Sequence, residues 1–332
     1  MIGYLIRRLI FLIPVLLIVS MVAYLVIELP PGDYLTTHIM RLRAAGTHVA
    51  EDEIARLTRM FGLDKPPYMR YFLWLWKIVR YGDFGLSFQW NKPVTEVIGE
   101  RLALTMTISI LTLIFSWVLG IIIGIYSATH QYSIFDYMFT FFGFIGVSIP
   151  SYLLALVVMY FVYTRFGLAI TGLFSPAYAD APWSMAKVMN LLSHIWLPIL
   201  IIGTGGTAWI ARIMRGTLLD ELRKQYVITA RAKGLPERKL VFKYPVRIAI
   251  NPLISSISWL LPSIISGETI TSIVLNLPTC GPVLFRALMT QDEYLAGSFI
   301  LILSGLAIIG ALLADLILAW VDPRIRYEGV EK

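Results

Sequence analysis

Glu268, in "SIISGETITSIV", and Asp315, in "GALLADLILAWVD", are carboxylates set inside long apolar runs. An ionised carboxylate is costly in hydrocarbon, so such a group faces a cavity, pairs with a partner or takes up a proton. Two readings stand for Glu268. It lines a path through the membrane and meets a substrate amine or another polar group, with Ser266 and Asn276 as further candidates along that path. Alternatively, its own bundle satisfies it through the nearby hydroxyls of Ser263, Ser266, Thr269 and Thr271. Asp315 lies nearer the end of its run and fits a structural pairing. Cys280 is the single cysteine, which excludes an internal disulfide and a cysteine metal cluster. The four histidines, at 38, 48, 130 and 194, have no paired ligand spacing. There is no glycine-rich phosphate loop ending in Lys-Ser/Thr, no Ser/His or paired-Asp arrangement and no His/Cys metal set.

The elements that carry these residues are membrane spans. The chain has 332 residues and only 15% are charged, against about 25% in soluble domains; its mean hydropathy is +0.74. Nine Trp and 17 Tyr suit a protein with two membrane–water interfaces. Six stretches hold the roughly 20 apolar residues a crossing helix needs: Leu9–Leu29, Leu102–Tyr126, Phe135–Tyr163, Leu191–Ile213, Pro252–Leu275 and Ala296–Val321. "GYLIRRLIFLIPVLL" has the basic start of a signal peptide, but its apolar run continues without a small-residue cleavage site and reads as a retained anchor. Glycines in "GIIIG" (120–124), "GFIGVSIPS" (143–151) and "GTGG" (203–206) suit close helix packing more than chemistry.

Charge orients the spans. Arg7 and Arg8 precede the first, ten Lys/Arg lie between Arg212 and Arg247, and Arg324, Arg326 and Lys332 follow the sixth. All fall on one side, which the positive-inside rule makes cytoplasmic, so both termini are expected inside. The loop "SATHQYSIFD" fits poorly, because it should share that side and has no Lys or Arg. The fold class is therefore all-α: a polytopic, six-span protein of the cytoplasmic (inner) membrane. Residues 1–30 form an N-terminal anchor, 31–98 an extracytoplasmic region, 99–322 the transmembrane domain with a cytoplasmic loop at 213–250, and 323–332 a tail. Within the outer region, "AEDEIARLTRMFGL" has helical periodicity, and "YMRYFLWLWKIVRYGDFG" is too interrupted to span and reads as an interfacial helix.

The cytoplasmic loop is the most marked segment. "ARAKGLPERKLVFKYP" (230–245) holds five basic residues and one acid. Leu218, Leu219, Leu222, Tyr226 and Ala230 recur at three- and four-residue spacing, which predicts one amphipathic helix over 215–233. Gly234 is placed to end it in a left-handed conformation, Pro236 suits a stop or a new first turn, and "PERKLVFKY" predicts a second short helix. A basic loop that attracts anionic lipid would need the charge alone. The elbow, with small residues at its apex, is a shape that fits a cleft on another protein.

"YVITARAKGLPERKLVFKYPVRIAINPLI" resembles the signature loop of the integral membrane subunits of bacterial ABC importers, in which Glu-Ala-Ala, three residues and a Gly recur. It is most similar to the dipeptide/oligopeptide (and nickel) permease branch, with its type I fold. Ala230 and Gly234 match the second Ala and the Gly. Ile228 stands where the Glu would be, Thr229 at the first Ala and Arg247 where a later Pro is found, so no salt-bridge role is carried over from that Glu. "GETITSIVLNLP" (267–278) and "DPRIRYE" (322–328) resemble the same branch. The resemblance implies that the loop inserts a short helix into a cytoplasmic ATPase, with Ala230, Arg231, Lys233, Gly234 and Arg238 near the contact. It also implies a second homologous permease, two ABC ATPases that carry ATP and Mg, and an extracytoplasmic substrate-binding protein. This chain would hold no cofactor or metal, act on no nucleic acid and perform no catalysis of its own. Membrane lipid surrounds it. Peptides are the implied cargo, with oligosaccharides or nickel chelates as alternatives for the same architecture. A rival ATP-independent carrier or channel has thin support, since ion coupling calls for several intramembrane charges.

Overall fold

The computed structural model describes residues 2–29, 35, 39, 54, 56, 58–59, 64–167, 170–179, 181–256 and 269–321, without the side chains of 2–9, 11, 314–315 and 317–321. The described residues are helical, joined by turns and one isolated bridge, Leu86 to Pro93. The helices are α1 (Ile2–Glu28), α2 (Pro67–Tyr81), α3 (Val94–Thr129), α4 (Ile134–Ser148), α5 (Ser151–Phe166), α6 (Pro176–Ala179), α7 (Met185–Leu222), α8 (Gln225–Ala232), α9 (Glu237–Lys243), α10 (Pro245–Ala249), α11 (Thr269–Val274), α12 (Cys280–Met289) and α13 (Glu293–Val321). The chain divides into two compact units, one of residues 1–105 with 278–308, the other of 106–277 with 309–332.

In the first unit, Ile27 of α1 and Val94, Val97 and Ile98 of α3 pack with Cys280, Val283 and Ala287 of α12 and Leu295, Ala296 and Phe299 of α13. Cys280 opens α12 and is fully buried, its N–H donating to Thr105 Oγ1 at 2.9 Å. The segment 68–85, expected to form an interfacial helix, is helical as α2. Pro67 sits at its first position, where a missing N–H costs nothing, and Gly82 closes it at φ +65°. The other outer helix, expected over 50–63, lies largely outside the described residues.

A buried ionic knot ties α2 to its neighbours. Arg70 donates through Nη1 to both Glu293 oxygens at 2.8 and 2.9 Å and through Nη2 to Glu28 Oε1. Tyr24 O–H donates to Glu293 Oε2 at 3.1 Å. Next to it, Asp292 caps α13 by accepting from Leu295 N–H, and reaches the 86–93 turn through Ser87 Oγ at 2.6 Å and Gln89 N–H at 3.1 Å. Burial pushes the Asp292 carboxyl up, and these bonds oppose the shift.

In the second unit, the span expected to run unbroken over 135–163 is two helices, α4 and α5, meeting at 105°. Pro150 is the cause. It lacks an N–H, and its ring drives Ile149 out of the helical region to φ −92°, ψ 121°. Hydropathy does not register such a break, because both halves are apolar. α7 has 38 residues, far more than the expected Leu191–Ile213, and at about 1.5 Å per residue it runs about 57 Å, well past a hydrocarbon core of about 30 Å.

α3, α7 and the pair α4–α5 have the length and composition of crossing helices in this region, as does the 293–313 stretch of α13. α1 covers the first expected span, and half of the fifth, residues 257–268, falls outside the described residues.

The glycines in "GIIIG" and "GTGG" do serve packing. A Cβ on Gly124 would lie 2.6 Å from Met214 Cβ and 2.9 Å from Ala211 O, and one on Gly203 would lie 2.7 Å from Phe115. Because backbone blocks the Gly124 site, a Gly124→Val chain is expected to lose about 1–3 kcal/mol through overpacking. A lowered unfolding midpoint in detergent is the readout, and an unchanged midpoint would disprove this contact.

Candidate functional site: the cationic elbow

The helix predicted over 215–233 is divided. α7 ends at Leu222, Lys224 turns extended at φ −72°, ψ 147°, and α8 begins at Gln225. The apolar spacing continues across the break because both helices bury their apolar residues beneath the loop. Val227, Ala230, Leu240 and Val241 form a small core of their own, sealed by Leu222, Tyr226, Leu235, Tyr244 and Val246. Tyr226 O–H donates to Glu221 Oε2 at 2.6 Å across the break, and burial, then that carboxylate, pushes the phenol well above its ordinary range.

The elbow itself follows the sequence. Gly234 adopts φ +77°, which a side chain disfavours. Its N–H donates to Arg231 O at 3.0 Å, and Leu235 N–H donates to Ala230 O at 3.5 Å. These are the two reciprocal bonds of a left-handed helix stop, completed by contact of Leu235 with the loop core. Pro236 then starts α9. Arg231 braces the bend with two bonds to Glu237, 3.0 Å from Nε and 2.6 Å from Nη2. That hydrogen bonding holds the Glu237 carboxyl below the usual carboxylate range. Both side chains are about half exposed, so the pair fixes geometry more than it adds stability.

The elbow is joined firmly to the helices above it. α10 packs on the end of α7, where Ala249 and Leu253 meet Ile210, Met214 and Leu218, and Thr217 Oγ1 donates to Ala249 O at 2.9 Å. Two residues before Thr217, Arg215 makes a forked pair with Asp136, both bonds 2.9 Å, and Asp136 is buried. Asp136 belongs to the loop that carries no Lys or Arg. The pair sets that loop at the same end of α7 as the cationic segment.

The expected contact residues sit as follows. Ala230 is 7% exposed and faces the loop's own core. Arg231 is the brace. Lys233, Gly234 and Arg238 are exposed around the bend. Among the path candidates, Glu268 and Ser266 lie outside the described residues. Asn276 closes α11 in a left-handed conformation, φ 53°, with its own N–H on Ile273 O and Leu277 N–H on Ser272 O; that backbone duty suffices to explain an Asn there. Thr271, a suggested partner of Glu268, bonds Ser151 at 2.8 Å.

Sequence reading missed Ile228 and Phe242, which are 46% and 53% exposed although the surrounding loop is charged. No signal in the sequence singles them out, since Phe242 stands directly beside the buried Val241.

The family model for the binding-protein-dependent transport system inner membrane component matches residues 120–327, and the model for the N-terminal part of such membrane components matches residues 1–109. The chain belongs to this family of membrane permeases. It is similar to the oligopeptide transport system permease protein AppB of Bacillus subtilis, 30% identical over 98% of this chain and 100% of the relative. The dipeptide transport system permease protein DppB of Alkalihalophilus pseudofirmus is also 30% identical, over 98% and 100%. The peptidoglycan transport system permease protein YejB of Agrobacterium fabrum is 28% identical over 98% of each chain.

Proposed function

We propose that this chain is a permease subunit of an ATP-driven peptide importer in the cytoplasmic membrane. It forms half of the translocation path with a second homologous permease. Two cytoplasmic ATPases hold ATP and Mg, and an extracytoplasmic binding protein delivers the peptide. The chain itself catalyses nothing, and both of its termini lie in the cytoplasm. Peptide as cargo rests on the oligopeptide and dipeptide relatives, which match over their whole length.

One observation carries the mechanical reading: the cationic elbow has its own core and is fastened to α7. A loop that only obeyed charge bias would need neither. Lys233, Gly234, Arg238 and the exposed Phe242 and Ile228 form the surface offered to the ATPase, and Ala230 and Arg231 keep it in shape. Displacement of the elbow passes through α10 to the foot of α7 and, through Arg215 and Asp136, to α4. Rigid-body rocking of the helices then opens the path to either side alternately.

Gly234 is the test. A Cβ there meets nothing within 4 Å, so its requirement is one of backbone angle alone. Gly234→Pro removes the N–H and forbids positive φ, whereas Gly234→Asn tolerates it. In proteoliposomes holding the complete importer, Gly234→Pro is expected to insert normally yet cut ATP-dependent uptake of labelled peptide about tenfold or more, and Gly234→Asn to retain most of it. Equal uptake by wild type and the Pro variant would rule out the lever.

A further inference from the structure

Helix α2 presents three distinct faces. Arg70, Tyr71 and Trp74 are buried in the first unit. Successive helical residues turn by about 100°, which sets Tyr68, Phe72, Trp76 and Val79 together on another side. These four are 66%, 65%, 61% and 77% exposed. Lys77 and Arg80, both exposed, occupy the edge between. A helix with one face on protein, one apolar face open and a cationic edge matches the layering of a bilayer surface, in which acyl chains, headgroups and water succeed one another within a few ångströms.

A cavity of about 500 Å³ opens on that cationic edge, lined by Arg59, Lys65, Arg70 and Lys77. Trp74 forms part of its apolar wall and Asp83 opposes the cations. Arg70 is already held by Glu28 and Glu293, so its charge is spent in the wall. Among the described lining residues, Arg59, Lys65 and Lys77 remain against Asp83, an excess of positive charge.

We infer that this cavity binds the phosphate of an anionic phospholipid headgroup, whose acyl chains lie along the open face of Phe72 and Trp76. The site requires only that the chain is embedded in a bilayer, and it is independent of the transported solute. Phosphate is the recognised chemistry. Lipid is favoured over a free ion because the helix that lines the cavity through Arg70, Trp74 and Lys77 also carries the open apolar face of Phe72 and Trp76.

The test is thermal unfolding of the full chain in detergent, titrated with dioctanoyl phosphatidylglycerol, dioctanoyl phosphatidylcholine or inorganic phosphate. Phosphatidylglycerol is expected to raise the midpoint at the lowest concentration. A variant carrying Arg59→Gln, Lys65→Gln and Lys77→Gln is expected to need about 100-fold more of it, a loss in line with three surface cations. These side chains are not in a core, and the variant's midpoint without lipid checks its fold. Phe72→Ser with Trp76→Gln is expected to weaken phosphatidylglycerol binding and leave any response to inorganic phosphate alone. Equal responses to the two lipids, undiminished affinity in the triple variant, or inorganic phosphate acting at the same concentration as the anionic lipid would each overturn the site.

Discussion

A Phe242→Asp chain is expected to reach the membrane at wild-type levels and to bind its ATPase partners about 30-fold more weakly. Phe242 is 53% exposed on α9, while Leu240 and Val241 on the same helix supply the buried contacts. Removing its ring therefore takes nothing from the loop core. A half-exposed aromatic residue on a charged surface loop fits the anchor of an interface, where truncation of such a group costs about 2 kcal/mol or more, and 1.4 kcal/mol is tenfold in affinity. The aspartate adds the cost of bringing an unpaired charge into the contact. Ile228→Asp should act in the same direction. Leu240→Ala is the contrasting variant: Leu240 is fully buried, so its loss should loosen the elbow itself and cost about 2–5 kcal/mol. Titration of the detergent-solubilised permeases with ATPase subunits reads the affinity, and protease sensitivity of the loop reads its fold. If Phe242→Asp and Ile228→Asp both bound the ATPases as wild type does, these residues would have no part in docking.

The elbow was legible in the sequence because its determinants are local. Gly234 and Pro236 fix backbone angles within a few residues, and the alternation of apolar and basic positions marks helices on either side. The break at Arg223–Lys224 was not legible, since the apolar spacing from Leu218 to Ala230 continues across it. Pro150 was visible as a residue but not as a 105° bend, because a proline in a span can kink, break or be absorbed, and packing decides among these. The ionic contacts were hidden for another reason. Asp136 and Arg215 are 79 residues apart, and Arg70 and Glu293 are 223 apart. Nothing in local composition pairs them. Charge counting even pointed the wrong way at Asp136, whose loop seemed out of place for lack of Lys or Arg, when its carboxylate is met by an Arg from α7. Exposure was likewise unreadable: Phe242 and Val241 are adjacent apolar residues, and only the folded loop separates the outward one from the buried one.

Arg70→Ala is expected to be the most damaging single substitution in the first unit. Arg70 is 6% exposed and stands between Glu28 and Glu293, whose side chains are 25% and 5% exposed. Removing the guanidinium leaves two carboxylates facing each other with no counter-charge between them. Breaking a buried pair by deleting one partner costs about 3–5 kcal/mol, because the remaining charge is stranded. The damage should spread, since the same knot joins α1, α2 and α13 and holds Tyr24 through Glu293. The expected result is a sharply lowered unfolding midpoint in detergent and early proteolysis between α1 and α3. Loss of packing is distinguished from loss of charge by two further chains. Arg70→Met keeps most of the volume and should remain nearly as unstable, whereas Arg70→Met with Glu28→Gln and Glu293→Gln removes every charge and should recover most of the loss. Near-wild-type stability in Arg70→Met would mean that the knot contributes volume alone, and the electrostatic account of how α2 is held would fail.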